Sequence, residues 1–179
     1  MWATCMLVLL ETGMRPGEAR ALRWREYYGE ERAFVVRHGV ESGTKDKIKG
    51  TKTDQVKAAA VSVRTSQELT IWRMETKFKA NDDFIFTLDG ARPVTNLEVL
   101  KAFRAGMETA GLDSAKWVPY TLRHTFITYS IPVLDDWELE MMAGHSTLRT
   151  SLKYRHPDDE IVLARSRLAR EKLDKAREK

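Results

Sequence analysis

Arg15, Lys52, Arg123, His145 and Tyr154 are the residues of this chain whose types, taken together, can carry a chemical step. Their contexts are short and distinctive: Arg15 before Pro16-Gly17-Glu18, Lys52 between Thr51 and Thr53, Arg123 in Tyr120-Thr121-Leu122-Arg123-His124, His145 after Gly144, and Tyr154 before Arg155-His156-Pro157. Two guanidiniums, an ammonium and an imidazole can gather around one phosphate diester. Charge that spreads over its nonbridging oxygens in a five-coordinate transition state is best met by preorganised, bidentate donors, the particular capacity of arginine. Arg15 and Arg123 fit that role, and His145 adds a donor. Tyr154 is the candidate nucleophile. Its phenol has an ordinary pKa of about 10, and nearby cations favour the phenolate. Lys52, an ammonium on a flexible stem, can follow and protonate a departing oxygen. No Asp/Glu pair suits a two-metal arrangement, so neither a metal nor any other cofactor is expected.

The elements that must position these groups can be read from breaks and caps. Residues 2 to 10 are almost wholly apolar and end at Thr12-Gly13, which predicts a buried helix closed by glycine. Pro16 opens a second short helix, where its missing N–H costs nothing, so Arg15 lies at a helix start. Residues 33–37, 47–53 and 58–63 have strand character and predict a small antiparallel sheet, with Lys52 near the turn joining its last two strands. A helix is expected over 66–79, with Leu69, Ile71, Trp72 and Phe78 as core candidates, followed by a buried extended triplet at 84–86. Thr95 or Asn96 caps a helix running to Gly111, with Leu97, Leu100, Phe103 and Met107 on one face. Further helices are expected over 121–131, stopped by Pro132, and over 137–143, ending at Gly144. Ser146 or Thr147 then caps a helix reaching Tyr154. Residues 158–179 form a charged last helix whose thin stripe of Ile161, Ala164, Leu168 and Leu173 is too narrow for a core helix and suits packing on a neighbour or in a groove.

Size and composition narrow the class. With 179 residues, 42% apolar and 31% charged, the chain reads as one ordinary globular domain. No apolar run approaches the roughly 20 residues of a membrane span and no signal core follows Met1, so a soluble cytosolic protein is expected. Cys5, the only cysteine, excludes an internal disulfide and reads as a small buried hydrophobe. The net charge of +4 does not by itself argue for nucleic acid. Arg165, Arg167, Arg170, Lys172, Lys175, Arg177 and Lys179, set against Glu171, Asp174 and Glu178, hold the whole excess in the tail. One cluster stands out in the body: Lys45, Lys47, Lys49, Lys52 and Lys57, which reads equally well as a solvated hairpin or a phosphate-tracking one.

Taken singly, each candidate has an ordinary structural explanation: a surface ion pair for Arg15, a solvated lysine for Lys52, a core-edge aromatic for Tyr154. His124, His145 and His156 have no metal-ligand spacing. His124 reads as a buried, hydrogen-bonded support for Arg123, and His156 as packing behind Tyr154. The ordered set is what carries meaning. It resembles the tyrosine recombinase (phage integrase) family, whose Arg, Lys, His/Lys/Tyr, Arg, His/Trp and Tyr occur in this order, with Arg123 22 positions before His145 and His145 nine before Tyr154.

By that resemblance Arg15 and Arg123 are the two catalytic arginines, Lys52 the hairpin lysine, His145 the late histidine and Tyr154 the nucleophile. Glu18 is the acidic residue that helps to orient the site. Tyr120 stands where the family most often has histidine; it can donate to a phosphate but is a poor acid–base shuttle. The stretch 131–135 lacks the glycine usual before the late histidine. The resemblance implies a mainly α fold with a small antiparallel β-sheet (α+β), a catalytic domain over 1–157, a C-terminal helix over 158–179 for docking on a neighbouring protomer, and no N-terminal DNA-clamping domain. It also implies site-specific cleavage and rejoining of double-stranded DNA through a 3′-phosphotyrosyl intermediate, by four protomers on two duplexes, without metal or ATP. The alternatives are a type IB topoisomerase-like enzyme and a noncatalytic DNA-binding descendant.

Overall fold

The apolar opening segment forms helix α1 (Trp2–Thr12), which ends where Gly13 turns into the left-handed region at φ 63° and donates its N–H to the Leu9 carbonyl. The computed structural model describes residues 1–41, 47–50, 57–130, 133–143 and 159–177. After Gly13, Pro16 starts helix α2 (Pro16–Ala21) with Arg15 as its N-cap, as the sequence predicts. A 3₁₀ turn (Trp24–Glu26) leads into strands β1 (Tyr27–Tyr28), β2 (Ala33–Val36), β3 (His38–Glu41), β4 (Lys47–Gly50) and β5 (Lys57–Ala60).

The expected antiparallel sheet is split in two. One sheet has the order β1-β2-β5 and the other pairs β3 with β4. Strands β4 and β5, expected as sequential partners, therefore pair with β3 and β2, with Val40 opposite Ile48 and Phe34 opposite Ala59. Strands β2 and β5 are buried along their whole length. Phe34, Val36 and Ala59 join the main core with Val8, Leu9, Leu22, Trp24 and Leu69. Alternate residues Ala33, Val35, Ala58 and Ala60 face the other way, towards Leu163 of the last helix. Burial on both faces explains why this segment is a continuous apolar run without alternation.

Helix α3 (Val63–Glu75) starts earlier than expected, because the Ser62 hydroxyl accepts the Thr65 N–H, and stops before Phe78. Leu69 is buried on it, but Ile71 is exposed. The triplet Phe84-Ile85-Phe86 is buried as expected, with Phe84 bridging to Arg23. Helix α4 (Asn96–Thr109) begins with a full capping box between Thr95 and Glu98. Its core face is set by Val99 and Phe103, whereas Leu97 is exposed. Helices α5 (Tyr120–Ser130) and α6 (Asp136–Ala143) follow. Cys5 is buried and the apolar surroundings push its thiol up to about 12.

Helix α7 (Asp159–Arg177) corrects one expectation. It packs Leu163 against the outer face of the β1-β2-β5 sheet and Ala169 and Leu173 against Phe126, Leu134 and Met142, with Ser166 and Arg170 also buried and Leu168 exposed. The small side chains of β2 and β5 let the helix approach. Arg170 then reaches across and donates to the Glu11 carbonyl at the end of α1, 2.8 Å away.

Candidate active site

The pocket is organised by chain breaks rather than by long elements. Arg15 stands at the junction of α1 and α2. Its backbone N–H donates to Glu18 Oε2 at 2.9 Å and its Nη1 to Glu18 Oε1 at 3.1 Å, so one carboxylate both caps the helix and holds the guanidinium. Gly17 lies against β3: a Cβ there would stand 2.4 Å from the Val40 carbonyl oxygen. This close approach presses the first turn of α2 on the sheet and fixes where Arg15 emerges.

Arg123 comes from α5, 108 residues later in the sequence, and is buried. Its Nη1 donates to two carbonyl oxygens, those of Gly13 and Ala143, which close α1 and α6. Helix C-termini carry partial negative charge, so a cation is favoured there. Three helices thus meet at one guanidinium, whose plane is set by two fixed acceptors. The Ala143 carbonyl is also the last described backbone before His145. Packing of α1 on α5 supports the same junction, with Gly13 directly over the Phe126 ring.

Electrostatics tie the two arginines together. Burial, foremost, and then the Arg15 charge pull the Arg123 pKa below the usual guanidinium range, against the opposing influence of Tyr120 and Glu18. Tyr120 lies one turn before Arg123 on α5, half exposed, and its ring meets that of His124 edge-on at 5.0 Å between centroids. His124 itself is exposed. The expected buried support for Arg123 is therefore not there, because the next residue on a helix is turned about 100° away from the buried face. The support comes instead from backbone carbonyls.

One member of the pocket was hidden in the sequence. Lys57, read with its neighbours as part of a hairpin cluster, is buried at the head of β5, and its Nζ donates to Glu18 Oε1 at 2.5 Å. Both partners titrate abnormally. Burial works against the Glu18 charge, but Lys57 and the Arg15 N–H more than offset it and hold the carboxyl below its ordinary range. For Lys57, burial together with Arg15 and Arg123 outweighs the attraction of Glu18 and lowers the ammonium's pKa. A clue existed: Lys57 precedes Ala58-Ala59-Ala60-Val61, a strand buried on both faces, where an ammonium needs a partner.

The structure therefore brings Arg15, Glu18, Lys57 and Tyr120 within electrostatic reach of Arg123, with Arg15 and Lys57 both bonded to the Glu18 carboxylate. Lys52, His145 and Tyr154 lie outside the described residues. An excess of fixed positive charge held by buried acceptors is preorganised for an anion with several oxygens, and a phosphate diester is such an anion.

The family follows from sequence. Residues 1–160 match the model of the phage integrase family, and the chain belongs to that family. No curated protein matches it in sequence. Among solved structures, the chain is similar to the Tn1549 transposon integrase in complex with a circular intermediate DNA, at 22% identity and a TM-score of 0.68 over 93% of this chain and 57% of that one. XerA recombinase gives 24% identity and a TM-score of 0.60 over 88% and 52%. XerH recombinase bound to a palindromic difH substrate gives 22% and 0.57 over 90% and 43%. These likenesses show that the chain shares its mainly α fold with small antiparallel sheets with those proteins. The chain spans just over half the length of the integrase it resembles.

Proposed function

We propose that this chain is the cleaving and rejoining domain of a site-specific DNA recombinase. The observation that carries this reading is the buried guanidinium of Arg123, clamped between the ends of α1 and α6 and near enough to Arg15 to feel its charge. Membership of the phage integrase family supports it, as do similar folds seen on DNA.

In this mechanism Arg15 and Arg123 receive the nonbridging oxygens of the scissile phosphate, with His145 and Tyr120 as further donors. Each well-placed donor lowers the barrier by roughly 2.7 to 4 kcal/mol. Tyr154 attacks phosphorus as the phenolate that the surrounding cations favour, a 3′-phosphotyrosyl ester forms as the bond to the 5′-oxygen breaks, and that oxygen leaves with a proton from Lys52. The phosphoryl bond is exchanged rather than hydrolysed, so a 5′-hydroxyl from the partner duplex reverses the step and seals the new strand. The ester conserves the bond energy, and neither ATP nor a metal enters the balance. Double-stranded DNA is the substrate, held largely through phosphates and therefore with salt-dependent affinity. A homotetramer on two duplexes, in the cytoplasm, belongs to the same reading. Docking of residues 158–179 on a neighbour would require α7 to leave its own sheet.

The test is product topology. Protein incubated with paired target sites is expected to yield exchanged strands in the presence of EDTA. Relaxation of supercoils without exchange would favour the topoisomerase-like alternative, and duplex binding without any cleavage the noncatalytic one.

A further inference from the structure

Glu18 divides its two oxygens among three donors. Oε2 takes the Arg15 N–H, while Oε1 takes both Arg15 Nη1 and Lys57 Nζ. Without the lysine, Glu18 and Arg15 would form an ion pair within the first turn of α2, with the Arg15 side chain 44% exposed and that of Glu18 8% exposed. Such half-exposed pairs are weak and adopt several geometries. Lys57 changes this, because its ammonium is 7% exposed and comes from a different element, a strand buried on both faces. The bond therefore ties the carboxylate to the rigid sheet. Alternation along β5 puts Lys57 on the same face as Ala59, the face towards the main core.

We propose that Lys57 is a positioning residue for strand cleavage: through Glu18 it fixes the Arg15 guanidinium in the pose that receives the scissile phosphate. The proposal rests on the functional reading above. It separates two lysines by task, with Lys52 delivering a proton and Lys57 staying bonded in the pocket wall. A neutral side chain of the same length cannot do this, since it removes the bond that ties the Glu18 carboxylate, and through it the Arg15 guanidinium, to β5.

Three variants of the whole chain test it: Lys57→Met, Lys57→Arg and Arg15→Ala, with Lys57→Met also combined with Arg15→Ala. Single-turnover cleavage is followed on a nicked duplex target, and DNA affinity by fluorescence anisotropy. Lys57→Met is expected to slow cleavage about 10- to 100-fold with less than a threefold change in Kd, and Lys57→Arg to restore most of the rate. In the Arg15→Ala background, Lys57→Met should cost almost nothing further, because the group it positions is gone. Wild-type cleavage by Lys57→Met, or the same fold-loss with and without Arg15, would overturn the proposal. Carbon-13 titration of the Glu18 carboxyl gives a readout independent of cleavage. Its midpoint should rise in Lys57→Met, and an unmoved midpoint refutes the tether. Absence of cleavage by the wild type would refute the functional reading alone and leave this titration to decide the tether.

Discussion

Gly13→Ala offers a perturbation whose size can be worked from the coordinates. The residue has φ 63° and ψ 14° as the C-cap of α1, and an alanine in that left-handed conformation costs roughly 1–2 kcal/mol. Its Cβ would also lie 2.3 Å from Phe126 Cδ1 and 2.9 Å from Cε1 and Cγ, closer than any atoms tolerate. Phe126 is only 3% exposed, so the ring can yield only by repacking α5 on α1, a change of about 1–3 kcal/mol. Together the expected loss is about 2–5 kcal/mol, a large share of the roughly 5–15 kcal/mol of a typical domain. Urea unfolding followed by far-UV circular dichroism measures it. Because the clash is with one named ring, Phe126→Leu in the same chain should recover at least about 1 kcal/mol of coupling. A loss below about 1 kcal/mol for Gly13→Ala, or strict additivity with Phe126→Leu, would refute this packing of α1 on α5. The Gly13 carbonyl also anchors Arg123, so cleavage should fall even where the variant remains folded.

Four further outcomes are expected. Arg123→Lys keeps a charge but not the guanidinium, which holds two carbonyls through Nη1 alone and so has further N–H groups to offer a phosphate, and single-turnover cleavage should drop about 100- to 1,000-fold. Arg170→Met removes the bond from α7 to the end of α1 and leaves Glu11 without its buried cation; a loss of about 3 kcal/mol and faster amide exchange along 159–177 are expected. Arg92 and Thr95 hold the Glu98 carboxyl down to about 2, so its stabilisation is complete above the unfolded carboxyl's pKa of about 4.3 and fades as pH falls towards 2. Since this pair is largely solvated, Glu98→Gln should cost only about 1 kcal/mol at pH 7 in chemical unfolding, and the difference should vanish in acid. The Cys5 thiol, buried and raised to about 12, should resist iodoacetamide at pH 8 in the native state and react promptly in urea.

Local chemistry was legible in the sequence where it acts within a few residues. Gly13 closing α1, Pro16 opening α2 and Thr95 capping α4 each stand where their backbone preferences place them. What sequence reading misplaced depends on which side of an element meets a distant one. On α4 the buried face passes through Val99 rather than Leu97, and on α7 through Ala169 and Arg170 rather than Leu168, because each helix is rotated by its partner and not by its own composition. The hairpin pairing is another long-range fact: β5 joins β2 across an intervening β3-β4 pair. Lys57 was obscured for the same reason, since a lysine in a basic run reads as solvated until β5 is buried against β2, α6 and α7. The arginines were recognisable from their order along the chain. Their shared site needed α1 and α6 to end where α5 begins.

The most direct test is to trap wild-type protein on a nicked duplex target and map the covalent adduct by mass spectrometry. A phosphoryl–DNA remnant on Tyr154, lost in Tyr154→Phe and strongly reduced in Arg123→Ala, is the expected result. An adduct on another residue, an adduct that survives Tyr154→Phe, or none at all would contradict the proposed chemistry.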